Sequence, residues 1–388
     1  MMRRGILGIT NAWPPMIAGH GNFFHDLVGC SASVEVLVPR AARPESVSCR
    51  AHRWFIVPPR IGGPLRVYSV LQPLETTVTP LFWLLVRWYK PRLIVASQVL
   101  FSGLSALLCS RVFGIPFLVI AHGEEVGAYL KAPRRLNAKL AQAVLESARV
   151  VVCNSRNTED LVKRFCRPGR PATRVILPCV NPHQAGANAA EVAELRRDLR
   201  ATGPLVLSVG RLEERRKGFD IAIKALKTVR EAVPGAILAI VGPGDQSRLK
   251  NLAREEGVAE SVRFLGPVSR SALSGLYSLC DVFLLPVRSL PDGNQEGFGI
   301  VFLEAGLHAK PVVAGRSGGS CEAVVDGETG ILVDGADPVA VAGAVNRLLT
   351  DARLAAAVGK AGRRRVLEDF NSEKRGALFE SLLQDVAG

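Results

Sequence analysis

Short apolar runs recur along the whole chain, each followed by a longer stretch of helical periodicity, and this alternation constrains the fold more than any other feature. In the first half the runs are "GILGIT", "VEVLVP", "WFIVP", "LIVAS", "FLVIAH", "RVVVCNS" and "RVILP". Helical patterns lie between them at "NFFHDLV", 81–90, 102–113 and "NTEDLVKRF". Strands that alternate with helices predict parallel sheets with crossover connections. The stretch "PCVNPHQAGANAA", 178–190, loses the periodicity and gathers Pro, Gly and Asn, as a linker would. The pattern then restarts with "LVLSVG", "ILAIVG", "VRFLG", "VFLLPV", "PVVAG" and "GILV", separated by helical stretches, and residues 353–388 read as helical and charged. A chain of 388 residues is also too long for one ordinary core. The expectation is two doubly wound α/β domains in tandem, 1–180 and 190–371.

Charge divides the chain at the same place. Residues 1–180 hold 23 basic and 9 acidic side chains, whereas residues 181–388 hold 26 of each. The whole surplus of +14 therefore lies in the first half, which points to an anionic partner, lipid surface or nucleic acid. Nucleic acid is the weaker option, because neither zinc-finger spacing nor an aromatic-studded basic strand occurs. Eight scattered cysteines without a CxxC pair suit free thiols in a reducing cytoplasm. The opening "MMRRGILGITNAWPP" reads as a first strand and not a signal peptide. No stretch reaches the roughly 20 apolar residues of a membrane span. The nearest candidate is broken by Arg87, Lys90, Pro91 and Arg92. It places Phe82, Trp83 and Trp88 beside those cations, so the expectation is a protein that lies on an anionic membrane without crossing it.

In doubly wound sheets ligands bind outside the carboxyl ends of the strands. After "LVLSVG" comes "RLEERRKG", where Arg211 and Lys217 suit a diphosphate. In "GRSGGSCEAV", Gly318 and Gly319 offer bare backbone N–H groups ahead of a helical turn. A further glycine loop, "PPMIAGHGN", follows the first strand of the other domain, and together the three suggest a ligand clamped in an interdomain cleft. No Asp-x-Asp occurs, which favours cationic side chains in place of a divalent metal. In "NQEGFGIVFLEAGL", eight residues of helix between Glu296 and Glu304 would rise about 12 Å and turn only about 80°. Both carboxylates would then face one side, each able to accept a vicinal diol. Glu304 would take a ribose and Glu296 a transferred sugar, with the amides of Phe298, Gly299 and Ile300 serving further hydroxyls.

These motifs resemble a known family. "EGFGIVFLE" is similar to the E-x7-E signature of the retaining glycosyltransferases of family 4, whose fold is GT-B: two Rossmann-like doubly wound domains facing across a cleft. "PFLVIAHGEEVG", "RVVVCNSRNT", "VILPCVNP", "SVGRLEERRKG", "IVGPGDQ", "VRFLGPVS" and "KPVVAGRSGGSCEAVVDGETGILV" resemble its other blocks in the same order. "EGFGIVFLEA" and "AHGEEVG" look most like the mannosyltransferases that build phosphatidylinositol mannosides. The resemblance implies that Arg211 and Lys217 meet the diphosphate, Glu296 the transferred sugar and Glu304 the ribose. It places His122 near the reacting sugar, Gly19 and Gly21 in the first glycine loop, and the base near Val241, Gly242, Phe264 and Leu265. The last helix, about 372–388, would cross back to the first domain, the acceptor-binding one. Two departures leave alternatives open: "AGHG" replaces the usual Gly-Gly, and one extra residue in "RLEERRK" makes Arg216 a rival to Lys217, although Gly218 favours Lys217.

The expected activity is a metal-independent, retaining transfer of a hexose from a nucleotide diphosphate sugar, GDP-mannose first and UDP-sugars next. The expected acceptor is lipid-linked or a glycan at the inner face of the plasma membrane, as in cell-envelope glycan synthesis, with no resident cofactor. The departing phosphate would help deprotonate the acceptor. Rival readings are a UDP-sugar-dependent transferase with a soluble acceptor, a sugar-nucleotide epimerase on a similar fold, and a non-catalytic nucleotide-sugar-binding protein.

Overall fold

The computed structural model describes residues 5–10, 19–29, 34–38, 50–53, 86–182, 189–199 and 203–387. The chain forms two compact units. The first is Met1–Cys179 with Ser372–Gly388, and the second is Val180–Asn371.

In the first unit the described strands are β1 (Ile6–Ile9), β2 (Val34–Val38), β3 (Arg50–Arg53), β4 (Leu93–Ala96), β5 (Phe117–Ala121), β6 (Val150–Cys153) and β7 (Thr173–Val175). They form one sheet in the order β3-β2-β1-β4-β5-β6-β7, with every pairing parallel. Strands β1, β4, β5 and β6 are buried at every position. That explains their continuous apolar runs, since a parallel strand covered on both faces has no wet side to alternate with. The cover comes from α1 (Gly19–Gly29), α2 (Phe101–Phe113), α3 (Glu124–Lys131), α4 (Leu136–Ser147) and α5 (Arg156–Phe165). Ser155 caps α5, its hydroxyl accepting from the Thr158 amide at 3.0 Å. The predicted strand "WFIVP" lies outside the described residues; the strand found beside it, β3, reads "RAHR" and pairs at the sheet edge.

The second unit repeats the plan. Strands β8 (Leu205–Val209), β9 (Ile237–Val241), β10 (Val262–Gly266), β11 (Val282–Leu285), β12 (Val312–Gly315) and β13 (Ile331–Val333) form a parallel sheet in the order β10-β9-β8-β11-β12-β13. Around it lie α6 (Ala189–Asp198), α7 (Phe219–Ala232), α8 (Ser247–Glu255), α9 (Arg270–Leu279), α10 (Ile300–Leu307), α11 (Ser320–Ala323), α12 (Pro338–Thr350) and α13 (Ala352–Asp369). Helix α6 begins inside the stretch read as linker. The final helix, α14 (Ser372–Ala387), belongs to the first unit and packs on α1.

Each sheet reverses its strand order once, between β1 and β4 in the first unit and between β8 and β11 in the second. Ligand crevices of open α/β sheets form outside the carboxyl ends at such a reversal. Among the described residues no helix is long and apolar enough to cross a membrane. Residues 54–85 are not described, so Phe82 and Trp83 lie outside the structure's account. Trp88 is 80% exposed, and Arg87, Lys90 and Arg92 are exposed beside it.

Candidate functional site

The reversal in the second sheet gathers most of the residues singled out by the sequence. From β8 the chain runs through Gly210 and Arg211 into a short 3-10 turn, Arg215–Lys217, and then into α7. Gly218 joins turn to helix at φ 72°, and a Cβ there would lie 2.1 Å from the Pro286 carbonyl. Glycine is therefore what lets the β8 loop press against the end of β11. The Arg288 amide donates to the Arg216 carbonyl at 2.8 Å, tying the two loops together.

This framework drives two cations inward. Arg216 is 4% exposed and Lys217 9%. Lys217 Nζ donates to Glu296 Oε2 at 2.7 Å, and Arg216 Nε lies 3.9 Å from the same oxygen. Glu214 accepts from Arg216 and pairs with Arg211, whose side chain is the more exposed, at 41%. The result is a linked series of three cations and two carboxylates at the strand ends. Burial pushes the Glu296 pKa up, but Lys217, Arg216 and the Phe298 amide together hold it below the usual carboxylate value. Glu296 is thus ionised against buried cations, and Arg216 and Lys217 both enter the site instead of excluding one another.

One expectation about the loop after β11 needs correction. Glu296 and Glu304 do not share a helix. Glu296 sits in the loop, its carbonyl accepting from the Gly319 amide at 2.9 Å, and α10 begins at Ile300 after Gly299 turns left-handed at φ 91°. The left-handed turn at Gly299 breaks the helical backbone between the two acids. In the loop after β12 the Gly319 N–H is not bare, because it donates to the Glu296 carbonyl. A Cβ on Gly318 would lie 2.1 Å from the Glu296 carbonyl oxygen, and one on Gly319 would lie 2.1 Å from that of Gly297. The pair lets the β12 loop touch the Glu296 loop. The Phe298 ring packs on Phe370 at 5.7 Å, and its amide is one of the groups that lower the Glu296 pKa.

Glu304 stands on α10, half-buried, and accepts from the Tyr277 hydroxyl at 2.7 Å. Val241 ends β9, and the Gly242 amide donates to the Gly266 carbonyl at 2.9 Å. Phe264 and Leu265 are half-buried on β10, with Lys250 Nζ 5.8 Å from the Phe264 ring centre. Sequence reasoning gave Arg216 only as a rival and missed Glu214, Tyr277 and His308. Glu214 was legible as an acid inside a cationic run; the other two were not.

In the first unit His122 follows β5 and is 8% exposed. Its Nε2–H donates to the Ser97 carbonyl, just past β4, at 2.7 Å. A carbonyl only accepts, so this bond fixes the proton on Nε2. The His122 amide donates to Glu125 at 2.9 Å, and Asn154 Nδ2 donates to the His122 carbonyl at 3.1 Å. Gly19 and Gly21 form the first turn of α1 and not a loop. The residues before them, 11–18, are outside the described set.

Comparison with known proteins gives consistent findings. The family described as glycosyl transferases group 1 matches residues 192–365, and the glycosyl transferase 4-like domain matches residues 22–179. A GDP-mannose-dependent alpha-(1-6)-phosphatidylinositol monomannoside mannosyltransferase of Mycobacterium tuberculosis is 32% identical over 98% of both chains. The protein of the same description from Mycolicibacterium smegmatis is 45% identical over 46% of this chain and 47% of its own. Among solved structures, a sucrose-phosphate synthase from Thermosynechococcus elongatus superposes with a TM-score of 0.83 at 25% identity, over 99% of both chains.

Proposed function

The chain belongs to the group 1 glycosyltransferases with the GT-B fold, and from that premise we infer that it moves mannose from GDP-mannose to a lipid-linked acceptor, with retention and without a divalent metal. The donor and the acceptor class are suggested by the full-length relatives described as GDP-mannose-dependent phosphatidylinositol monomannoside mannosyltransferases.

The observation that carries the chemistry is the buried group of Lys217, Arg216 and Glu296 at the sheet reversal. Preorganised cations meet the charge that grows on a leaving diphosphate with little reorganisation, and such a donor is worth about 10²–10³ in rate. Arg211, at the mouth of the same series, supplies a forked guanidinium. When a diphosphate takes Lys217, Glu296 is released from its strongest partner and turns to the hydroxyls of the transferred sugar. The sugar's C1–O bond to phosphate breaks, the acceptor oxygen bonds C1 on the same face, and the acceptor's proton passes to the departing diphosphate oxygen.

The first unit is read as the acceptor side, with His122 held at its strand ends. Exposed Trp88 beside Arg87, Lys90 and Arg92, in the half that carries all the positive surplus, supports a place on the inner face of an anionic membrane.

The test is a screen of GDP-mannose, GDP-glucose, UDP-glucose and UDP-N-acetylglucosamine against phosphatidylinositol mannoside acceptors, with excess EDTA throughout. The expected result is an α-mannosylated lipid from GDP-mannose alone, undiminished by EDTA. Loss of turnover in EDTA with rescue by Mg²⁺ or Mn²⁺ would overturn metal independence. A UDP-sugar donor or a soluble acceptor would overturn the substrate assignment.

A further inference from the structure

Tyr277 is buried, and the chemistry above leaves its hydroxyl unexplained. The residue is 2% exposed on α9, with its ring against Phe283 at 5.6 Å between centroids. On another side it stacks on His308, with centroids 5.4 Å apart and planes within 25°. A phenylalanine would meet all of this packing. The hydroxyl instead donates to Glu304 Oε2 at 2.7 Å.

His308 holds the same glutamate by its backbone. Its Nδ1–H donates to the Glu304 carbonyl at 2.9 Å, which fixes the tautomer and leaves Nε2 to accept from Ser274 Oγ at 3.0 Å. The His308 amide meanwhile bonds to Ala305 at 3.1 Å. Glu304 is therefore tied at its carboxylate and at its carbonyl by two rings stacked on one another, and Ser274 and Tyr277 anchor both rings to α9. Burial and the nearby Glu304 raise the Tyr277 pKa well above the ordinary phenol value, so the hydroxyl keeps its proton and remains a donor. Burial likewise lowers the His308 pKa, which favours the neutral ring that this arrangement needs.

We propose that Tyr277, braced by His308 and Ser274, is a positioning residue that fixes the Glu304 carboxylate to accept the donor's ribose hydroxyls and so sets a preference for ribo- over 2′-deoxyribonucleotides. The proposal rests on the reading of Glu304 as the ribose acid. A long acidic side chain left to rotate must be ordered when ligand binds, and that ordering opposes binding. Held in advance by a buried phenol, it meets the diol already aligned.

The test measures Kd by calorimetry for GDP, 2′-deoxy-GDP, UDP and 2′-deoxy-UDP with the full-length protein and its Tyr277→Phe, His308→Gln, Glu304→Gln and Tyr277→Phe/Glu304→Gln variants. The readout is the deoxy-to-ribo ratio of Kd within each variant, which partial unfolding does not alter. The wild type should prefer the ribonucleotide, and Tyr277→Phe should lose about tenfold of that preference, as expected for a hydrogen bond to a charged group. His308→Gln should lose less. Glu304→Gln should abolish the preference, and the double variant should match it. A Tyr277→Phe protein that melts lower but keeps the wild-type ratio has lost only a stabilising hydrogen bond, which overturns the proposal. If Glu304→Gln itself keeps the ratio, the ribose reading beneath it falls. Binding of none of the four nucleotides would remove both.

Discussion

Replacing Lys217 by methionine should separate the stability role of the buried ion pair from the catalytic role proposed for it. Methionine keeps most of the stem volume and removes the charge. In the wild type, Nζ lies 2.7 Å from Glu296 Oε2, with the two side chains only 11% and 7% exposed. Breaking a buried pair by removing one partner costs about 3–5 kcal/mol, because the other charge is left in place. Arg216 remains at 3.9 Å and keeps part of the compensation, so about 2–3 kcal/mol is the expected loss at pH 7. For a unit of this size that lowers the melting temperature by about 5–10 °C.

The pH dependence supplies the refutation. In the wild type the folded Glu296 pKa lies below its ordinary value of 4.5, so its stabilisation is present above that pH and is lost on acidification below it. In the variant burial dominates and the folded value rises above the unfolded one. The penalty is then full at neutral pH and fades as the pH falls toward about 5 and the carboxyl takes a proton. Thermal melts at pH 7 and pH 5 should show the gap closing, and adding Glu296→Gln should restore most of the stability. Turnover should fall by about 10²–10³ and stay down in the double variant, because the diphosphate still lacks its cation. Parallel wild-type and variant melting curves, or recovered turnover in the double variant, would sink the argument.

Other consequences can be checked directly. Glu304→Gln should weaken binding of bare GDP as well as of GDP-mannose, whereas Glu296→Gln should weaken the intact donor and its turnover alone; equal losses by calorimetry would dissolve the division of roles. Glu146, nearly buried, accepts from Arg167 and for that reason first has its pKa held down at about 2. Its contribution is complete above about pH 4.5 and drains away as the pH falls through about 2, so Glu146→Gln should cost about 1–2 kcal/mol at pH 7 in urea melts and only a fraction of that at pH 2.5. Phosphatidylglycerol vesicles should sediment the protein at low salt and release it at high salt, with Trp88→Ala weakening the association. Protein that stays in the supernatant at low salt would favour a soluble acceptor.

The strands were legible because parallel strands covered on both faces must be apolar at every position, as β5 "FLVIA" and β9 "ILAIV" are. The polar "RAHR" of β3 was not, since an edge strand is held through its backbone and needs no such run. The cationic loop after β8 was legible, with Arg211 and Lys217 as the expected pair and Arg216 as a rival to Lys217. Spacing could not decide between the two rivals, because a 3-10 turn sends both side chains inward to one carboxylate. Tyr277 and His308 look like ordinary core residues of α9 and the end of α10. The hydroxyl of Tyr277 meets a glutamate 27 residues further on, a pairing that only tertiary structure creates.

The paired glutamates show where local periodicity misleads. Eight residues of continuous helix would also set two acids on one face, and the apolar residues between them invite that reading. Yet Gly297 and Gly299 interrupt the segment, and the Glu296 carbonyl is committed to Gly319 in the loop after β12. One acid is therefore positioned by loop-to-loop contact and by a lysine from the β8 loop. The other is positioned by a helix and a buried phenol. Two acids held by different supports can be set for two different parts of one ligand, which a rigid helix could not tune separately. The glycines of "GRSGG" then have a physical reason that a phosphate cradle alone would not supply. Without them the backbone of the β12 loop could not reach Glu296, and the acid would lose its anchor opposite Lys217.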